Sequence, residues 1–597
     1  MTYEPSKRML RTIAPALTAL ALVHCRPDHE TASEFPRAES FYLGGRLWGE
    51  ATTFNPLTAV AWPIEGIGLN LLYENLFDYD WQNRKMEPLL AESYQMTDEA
   101  IEVTMNSAAR WNDGKPLTGW DVKYTFDLGK RYKSVKFSPI WKYIRDVQVT
   151  ADGKRVTFLL DRKENNPLPL LDALQEYRIV PQHAVEPELR RVGGDIEEFG
   201  KLRFDQNPVA SGPYRIHSAT SEKVVMVRDD GYWGNAALHG GKLPGPKYVI
   251  HPIYKSNDHF SVALQQGRLD ISCTFMPRIW LKQPKGVRTW FDQEPYFVSL
   301  GIPMFYINVT HRPVDDTKMR RAMAFAINYK DVRELAVSGY SKPLKPGLIV
   351  PYGPEAKYYS EEDALEYGAS YDPAKAKAIL AEAGYKSIFG PDGELVETRD
   401  ARGNKVPTVY IKSPTGWTDY ESLVRIAVKS MRQVGIDARE RFVDASLYWP
   451  ARYTGDFDLL LDMPQAEPSP GKPWSRFDFL LTSKEWAPEG EKAYKNYGRF
   501  NRPGSPDYNA RFDELMALIP TLKDEDELVR AYRELNILFM RYQPTIPVLY
   551  RPDQFYEFSL RHWTGFPTAD DPYVPPQLPG DRQGTSMLWR LQSVRAN

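Results

Sequence analysis

The sequence predicts an α/β protein built from more than one compact unit, and three observations carry that expectation. At 597 residues the chain is too long for a single hydrophobic core, so it should divide into two to four units. Through the second half, stretches with apolar residues at three- and four-residue spacing alternate with short apolar strands. Between about Arg84 and Asp205 the pattern shifts to alternating residues broken by turn signals, which marks hairpins.

Taken in order, Phe41 to Trp48 reads as a strand running into a turn at Gly44-Gly45. Ile101, Val103 and Met105 alternate as a half-buried strand, followed by the turn Asn112-Asp113-Gly114-Lys115-Pro116. Thr118 and Asp121 then form a capping box that opens a helix. A strand pair at 146–150 and 155–160 is joined by Ala151-Asp152-Gly153, a hairpin turn signal. Helices are predicted at 318–326, 373–383, 420–434, 508–518 and 525–542, with strands at 407–411 and 457–461 between them and an extra loop at 387–405. Glycine and proline gather at 211–213, 240–246, 464–473 and 572–580, marking loops and connections between units.

Composition excludes several partners and chemistries. The 76 basic and 78 acidic residues are spread along the chain, without the basic blocks that hold nucleic acid or anionic lipid. Two cysteines, Cys25 and Cys273, allow no disulfide framework, and the nine histidines show no ligand spacing, so neither a metal nor a cofactor is expected. No G-x-S-x-G elbow, H-E-x-x-H helix or glycine-rich phosphate loop occurs. A glycosidase would need two carboxylates flanking a sugar, and nothing in the sequence pairs any two. No catalytic residue is therefore assigned, and the chain is expected not to be an enzyme.

At the N terminus, Lys7-Arg8 and Arg11 precede an apolar run at 13–23 that is too short to span a bilayer. That layout predicts an export segment over 1–25 and an extracytoplasmic protein. Cys25 directly after the run resembles a lipoprotein cleavage site, so the segment is either cleaved with acylation of Cys25, tethering the protein to the membrane, or simply cleaved. A polar stretch at 26–40 reads as a tether. Cys273 then has no partner and is expected to be a small buried apolar residue.

A denser set of motifs begins at Leu90-Ala91-Glu92-Ser93 and continues through Trp111-Asn112-Asp113-Gly114-Lys115-Pro116-Leu117-Thr118-Gly119-Trp120-Asp121-Val122. Asn207-Pro208-Val209-Ala210-Ser211-Gly212-Pro213-Tyr214, Gly231-Tyr232-Trp233-Gly234, Ala263-Leu264-Gln265-Gln266-Gly267-Arg268-Leu269-Asp270, Arg320-Arg321-Ala322-Met323-Ala324-Phe325-Ala326-Ile327 and Tyr371-Asp372-Pro373 to Glu382-Ala383-Gly384-Tyr385 follow in order. This succession resembles the family 5 extracellular solute-binding proteins of ABC transporters, the receptors for oligopeptides, dipeptides, nickel and oligosaccharides. It covers about Phe41 to Tyr550. Ala210 and Ser211 depart from the family pattern, which has Gly and Thr there.

The resemblance implies a two-lobed periplasmic-binding-protein type II fold with an additional inserted domain and a ligand cleft between the lobes. The expected division is a first domain over 41–85, 207–300 and 550–597, an insert over 86–206, and a second lobe over 301–549. It also implies a monomer that closes on a small oligomer and delivers it to a membrane permease. Pro473-Trp474-Ser475-Arg476-Phe477-Asp478 and Gly416-Trp417-Thr418-Asp419-Tyr420 are similar to segments of the cello- and manno-oligosaccharide receptors of the family. A β-linked oligosaccharide is accordingly favoured over a peptide, for which Asp462 or Glu467 would have to meet the ligand amine. The expected stacking residues are Trp48, Trp62, Trp417, Trp449 and Trp474, because flat rings suit the apolar faces of sugars. Asn55, Asp419 and Arg476 are the expected polar partners. Trp417, Trp449 and Trp474 are expected in loops or strand ends of one lobe, and Trp111, Gly212 and Pro213 in structural roles. A chaperone or signalling receptor on the same fold is the remaining alternative.

Overall fold

The computed structural model describes residues 35–57, 68–463, 469–552 and 554–594. The export segment with Cys25, Trp62 and Glu467 lie outside the described residues. Three main sheets organise the rest. A seven-stranded sheet runs Val287–Thr289, Glu557–Ser559, Ile271–Ser272, Ser40–Gly44, Tyr248–Pro252, Lys223–Arg228, Tyr214–Ala219. Its central strand Ser40–Gly44 is parallel to both neighbours. A five-stranded sheet runs Ala438–Val443, Val409–Pro414, Leu459–Asp462, Met304–Ile307, Thr545–Pro547. Between the first and second stretches of the seven-stranded sheet, residues 91–160 build a four-stranded antiparallel sheet of their own.

The five-stranded sheet is reached and left through two short strands, Ser299–Gly301 and Arg551–Pro552, which pair antiparallel with each other. The two chain crossings between the large sheets therefore lie side by side. From there the chain returns to the first sheet at Glu557–Ser559, and the Trp563 indole donates to Ser40 O at 3.0 Å.

Local sequence accounts for most elements. Thr118 and Asp121 form the capping box of helix Gly119–Arg131. Helix Thr418–Val434 buries Tyr420, Leu423, Val424, Ala427, Val428, Met431 and Val434, one apolar stripe at helical spacing, and ends at Gly435 with φ +97°. Helix Glu525–Tyr542 starts at the Asp524 cap and carries Glu525, Asp526 and Glu527 in its first turn, where the helix dipole favours negative charge. One expectation is corrected: the extra loop at 387–405 contains a two-stranded hairpin, Lys386–Phe389 with Leu395–Arg399. Ser387 and Thr398 both donate to Gly435 O, anchoring the hairpin to the C-terminal end of helix Thr418–Val434, which follows it in the chain.

The signature motifs converge on one buried junction. Asn112 Nδ2 donates to Pro208 O, and Ala210 N donates to Asn112 Oδ1, joining the Trp111 turn to the 207–214 segment. Glu74 accepts from the Tyr232 hydroxyl and from Trp233 Nε1, while its own N–H donates to Ser211 Oγ. Gly212 N donates to Leu72 O at 2.6 Å, and a Cβ on Gly212 would sit 2.3 Å from Leu71 O. Only glycine permits that approach.

Two expectations follow for stability. Gly212→Ala should lower the unfolding free energy by about 2 kcal/mol, the usual scale for forced overpacking, read as a shifted urea midpoint. Burial raises the Glu74 carboxyl to about 8, against the hydrogen bonds from Tyr232 and Trp233. Between its ordinary range and pH 8 the folded state thus holds a proton that the unfolded state has lost, so stability falls as pH rises through that window. The wild-type urea midpoint should drop between pH 5 and pH 8, and Glu74→Gln should flatten that slope.

Candidate functional site

A cavity of about 400 Å³ opens between the seven-stranded sheet, the 91–178 region and the five-stranded side of the molecule. That size lies within the range of small-molecule sites. Twelve of its 39 described lining residues are aromatic, against 13% of the chain, so the wall is selectively rich in flat rings.

The rings form a connected track. Trp48 and Trp417 meet at 5.2 Å between centroids, and Trp417 and Trp449 at 6.2 Å. The Arg452 guanidinium lies over Trp449 at 5.3 Å and over Tyr497 at 4.8 Å. Tyr453 then touches Tyr497 and Tyr494, each at 5.7 Å. The indole N–H of Trp417 is buried and has no hydrogen-bond partner among the described residues.

Six acidic and six basic side chains line the cavity, and five of each pair with one another. Asp419 pairs with Arg551 at 3.1 Å, Asp462 with Arg452 at 3.1 Å, and Glu176 with Lys136 at 3.2 Å. Asp581 pairs with Arg46 and Asp478 with Lys495. Arg178 Nε donates to Asn70 Oδ1 at 2.9 Å, and Asp172 accepts from Gly471 N and Ser475 Oγ. Burial pushes the carboxyls of Asp172 and Asp462 upward; the bonds from Ser475 and Gly471 oppose this in the first, the charge of Arg452 in the second. Burial likewise raises the Cys273 thiol to about 12, so this cleft cysteine stays protonated, its Sγ donating to Gly45 O at 3.0 Å.

Contacts also cross the cavity mouth. Tyr143 packs edge-on to Trp474 at 6.1 Å, Lys142 pairs with Glu485 at 2.5 Å, Lys484 with Glu164, and the Tyr494 hydroxyl donates to Ser134 O. At the other side Asn257 N donates to Gly416 O, and a Cβ on Gly416 would lie 2.5 Å from Lys255 O.

Of the residues singled out in the sequence, Trp48, Trp417, Asp419, Trp449 and Trp474 come together on the cavity wall. Trp449 sits inside helix Ala445–Thr454, and Trp474 opens helix Trp474–Leu481, so neither lies in a loop or strand end. Trp474 is 2% exposed and its indole donates to Met516 O. Asp419 is taken up by Arg551 and by Asn257 Nδ2 at 3.3 Å.

Asn55 and Arg476 are not among the lining residues. Asn55 holds Phe199 O and Leu57 N, the local backbone bonding to which a short amide side chain is suited. Arg476 grips Glu355 and Leu348 O; two positions after Trp474 on a helix, it faces away from the cavity. Sequence reasoning missed Asn75, Asp172, Gln175, Arg452, Tyr453, Tyr494, Tyr497 and Arg551 as wall residues. The tyrosine-rich stretches 448–453 and 494–497 were the local signal available for four of these positions.

Comparisons with known proteins agree with this architecture. The model of the bacterial extracellular solute-binding proteins, family 5 (middle region), matches residues 85–487. The chain is 25% identical over 540 residues to "Probable peptide-binding protein YejA" of Agrobacterium fabrum, covering 85% of this chain and 84% of that one. Among solved structures, the mannohexaose-bound periplasmic oligopeptide-binding protein of an oligopeptide ABC transporter from Thermotoga maritima superposes with a TM-score of 0.83 at 28% identity. It covers 94% of this chain and all of that one. AppA of Bacillus subtilis, in complex with a nonapeptide, shares the fold with a TM-score of 0.71 at 20% identity, over 93% of this chain and 99% of that one. The chain belongs to the family 5 bacterial extracellular solute-binding proteins, the ligand-capturing components of ABC transporters.

Proposed function

We propose that this receptor captures a short, uncharged oligosaccharide with β-linked rings and hands it to a membrane permease. What carries the reading is the matched charge of the wall, six acidic against six basic side chains, beside a continuous aromatic track. A peptide would bring a free amine and carboxylate. Meeting them here would mean breaking a buried pair such as Asp462–Arg452, which leaves a partner desolvated and unmatched. Sugar rings bring apolar C–H faces and neutral hydroxyls, which suit rings and polar groups already in place. The mannohexaose held by the Thermotoga maritima relative supports the same direction. The peptide-binding name of the Agrobacterium fabrum relative supports the competing one.

Capture works by closure. Bringing the two sides together expels water from the cavity and strengthens each polar contact inside it. Micromolar binding needs about 8 kcal/mol, which a few buried rings and hydrogen bonds supply.

Calorimetry with cellotriose, mannotriose and a tripeptide tests the assignment: heat from a trisaccharide is expected, and heat from the tripeptide alone reverses it. Trp417→Ala should weaken the bound sugar by about 10- to 100-fold, from lost ring area and the lost indole donor. Small-angle scattering should show the radius of gyration shrinking on ligand addition; an unchanged value refutes closure.

A further inference from the structure

Two buried amide side chains on the insert side of the cavity have hydrogen-bonding capacity that the protein does not use. Gln175, at the end of helix Leu168–Glu176, is 1% exposed, and its Oε1 has no partner among the described residues. Asn75 is 6% exposed; its Nδ2 donates to the backbone carbonyl of Gln175 at 2.6 Å, and its Oδ1 is left without a partner. Both residues line the cavity. A buried acceptor left unmet costs more than a typical hydrogen bond contributes, so each such pair needs an explanation.

The support beneath them is rigid. Asn75 follows Glu74, which is held through its side chain by Tyr232 and Trp233, through its N–H by Ser211 and through its carbonyl by Ile179 N. The Asn75 amide is thus held in place before any ligand arrives, by this backbone and by its own bond to Gln175 O, as a preorganised recognition site requires.

Taking the oligosaccharide reading as its basis, we propose that Asn75 and Gln175 form a hydroxyl-reading subsite. In it the two amide oxygens accept hydrogen bonds from the edge hydroxyls of a sugar ring whose face lies on the aromatic track of Trp417 and Trp449. The chemistry is selective in two respects. An acceptor pair demands donors, which hydroxyls provide, and the nearby Lys136 is already matched by Glu176, so it gives no preference for an ion. An extended peptide would instead seek a strand edge, and this side of the cavity is a helix end and a loop. The aromatic track thereby supplies stacking, and Asn75 with the insert residue Gln175 supplies hydroxyl recognition, so full affinity requires both sides to be closed on the same ring.

The test is calorimetry on the full chain with whichever of cellotriose or mannotriose binds the wild type. Gln175→Leu and Asn75→Leu should each weaken that sugar by about five- to tenfold, the scale of one or two lost hydrogen bonds. A series of monodeoxy trisaccharides against the wild-type protein provides a readout independent of any folding defect. At least one missing hydroxyl should cost the same factor, and that loss should vanish in Gln175→Leu or Asn75→Leu, the non-additivity of a contacting pair. If the wild type binds a trisaccharide yet both variants keep full affinity, or every deoxy loss adds independently to both substitutions, the subsite assignment fails while the oligosaccharide reading stands. If no trisaccharide binds, the oligosaccharide reading itself is what fails.

Discussion

The carboxylate of Asp419 ties helix Thr418–Val434 to a crossing strand and to the side of the seven-stranded sheet. It lies in the first turn of helix Thr418–Val434 on the second lobe, pairs with Arg551 on a crossing strand, and accepts from Asn257 on the first lobe. Asn257 in turn accepts from the Trp48 indole at 3.3 Å, and Trp48 leans on Trp417. Both charges are nearly buried, with side-chain exposures of 2% and 14%. Removing one partner of such a pair costs about 3–5 kcal/mol, because the other is left desolvated and unmatched. This pair, with the Asn257 N–Gly416 O bond beside it, sets the position of the aromatic wall against the side that carries Trp48 and Asn257.

Closure on the far side has a different physical basis. There the insert reaches the second lobe through Lys142–Glu485, Lys484–Glu164 and the Tyr143–Trp474 ring contact. Those charges are more exposed than the Asp419 pair, so each contributes less and is screened by salt. The link beside the crossing strands is thus the stronger one, and the links at the mouth are the weaker. The paired crossings Ser299–Gly301 and Arg551–Pro552 confine the chain connections between the two large sheets to one narrow place.

The interior of the cleft combines neutrality with flat apolar area. Each ion pair removes a charge that a charged solute could have used, and each ring adds a surface that any sugar face can use. Buried polar atoms on this wall without a hydrogen-bond partner among the described residues include the Trp417 indole N–H and the amide oxygens of Asn75 and Gln175. The motifs that identify the family contribute little to the wall. Trp111, Ser211, Gly212, Tyr232 and Trp233 hold the junction that supports Asn75, and none of them lines the cavity.

What the sequence determined by itself were the local elements and the family. Helical spacing placed 318–326, 420–434 and 525–542, and the Thr118 capping box placed the helix after the Trp111 turn, because these signals depend on residues within one or two turns of each other. The hairpin at Lys386–Phe389 and Leu395–Arg399 escaped that reading because its strands are short and its anchor, Gly435, lies some forty residues on. At the site, sequence alone gathered Trp48, Trp417, Asp419, Trp449 and Trp474 but also proposed Asn55 and Arg476, which local bonding and helix phase turn elsewhere. Only the tertiary structure decided that Asp419 is spent on Arg551, that Asp462 is spent on Arg452, and that Asn75 and Gln175 keep free acceptors. Those outcomes depend on a partner more than a hundred residues away for Asp419, and for Asp462, ten residues from Arg452, on which face of helix Ala445–Thr454 meets the cleft. Neither is encoded in the spacing of neighbouring residues.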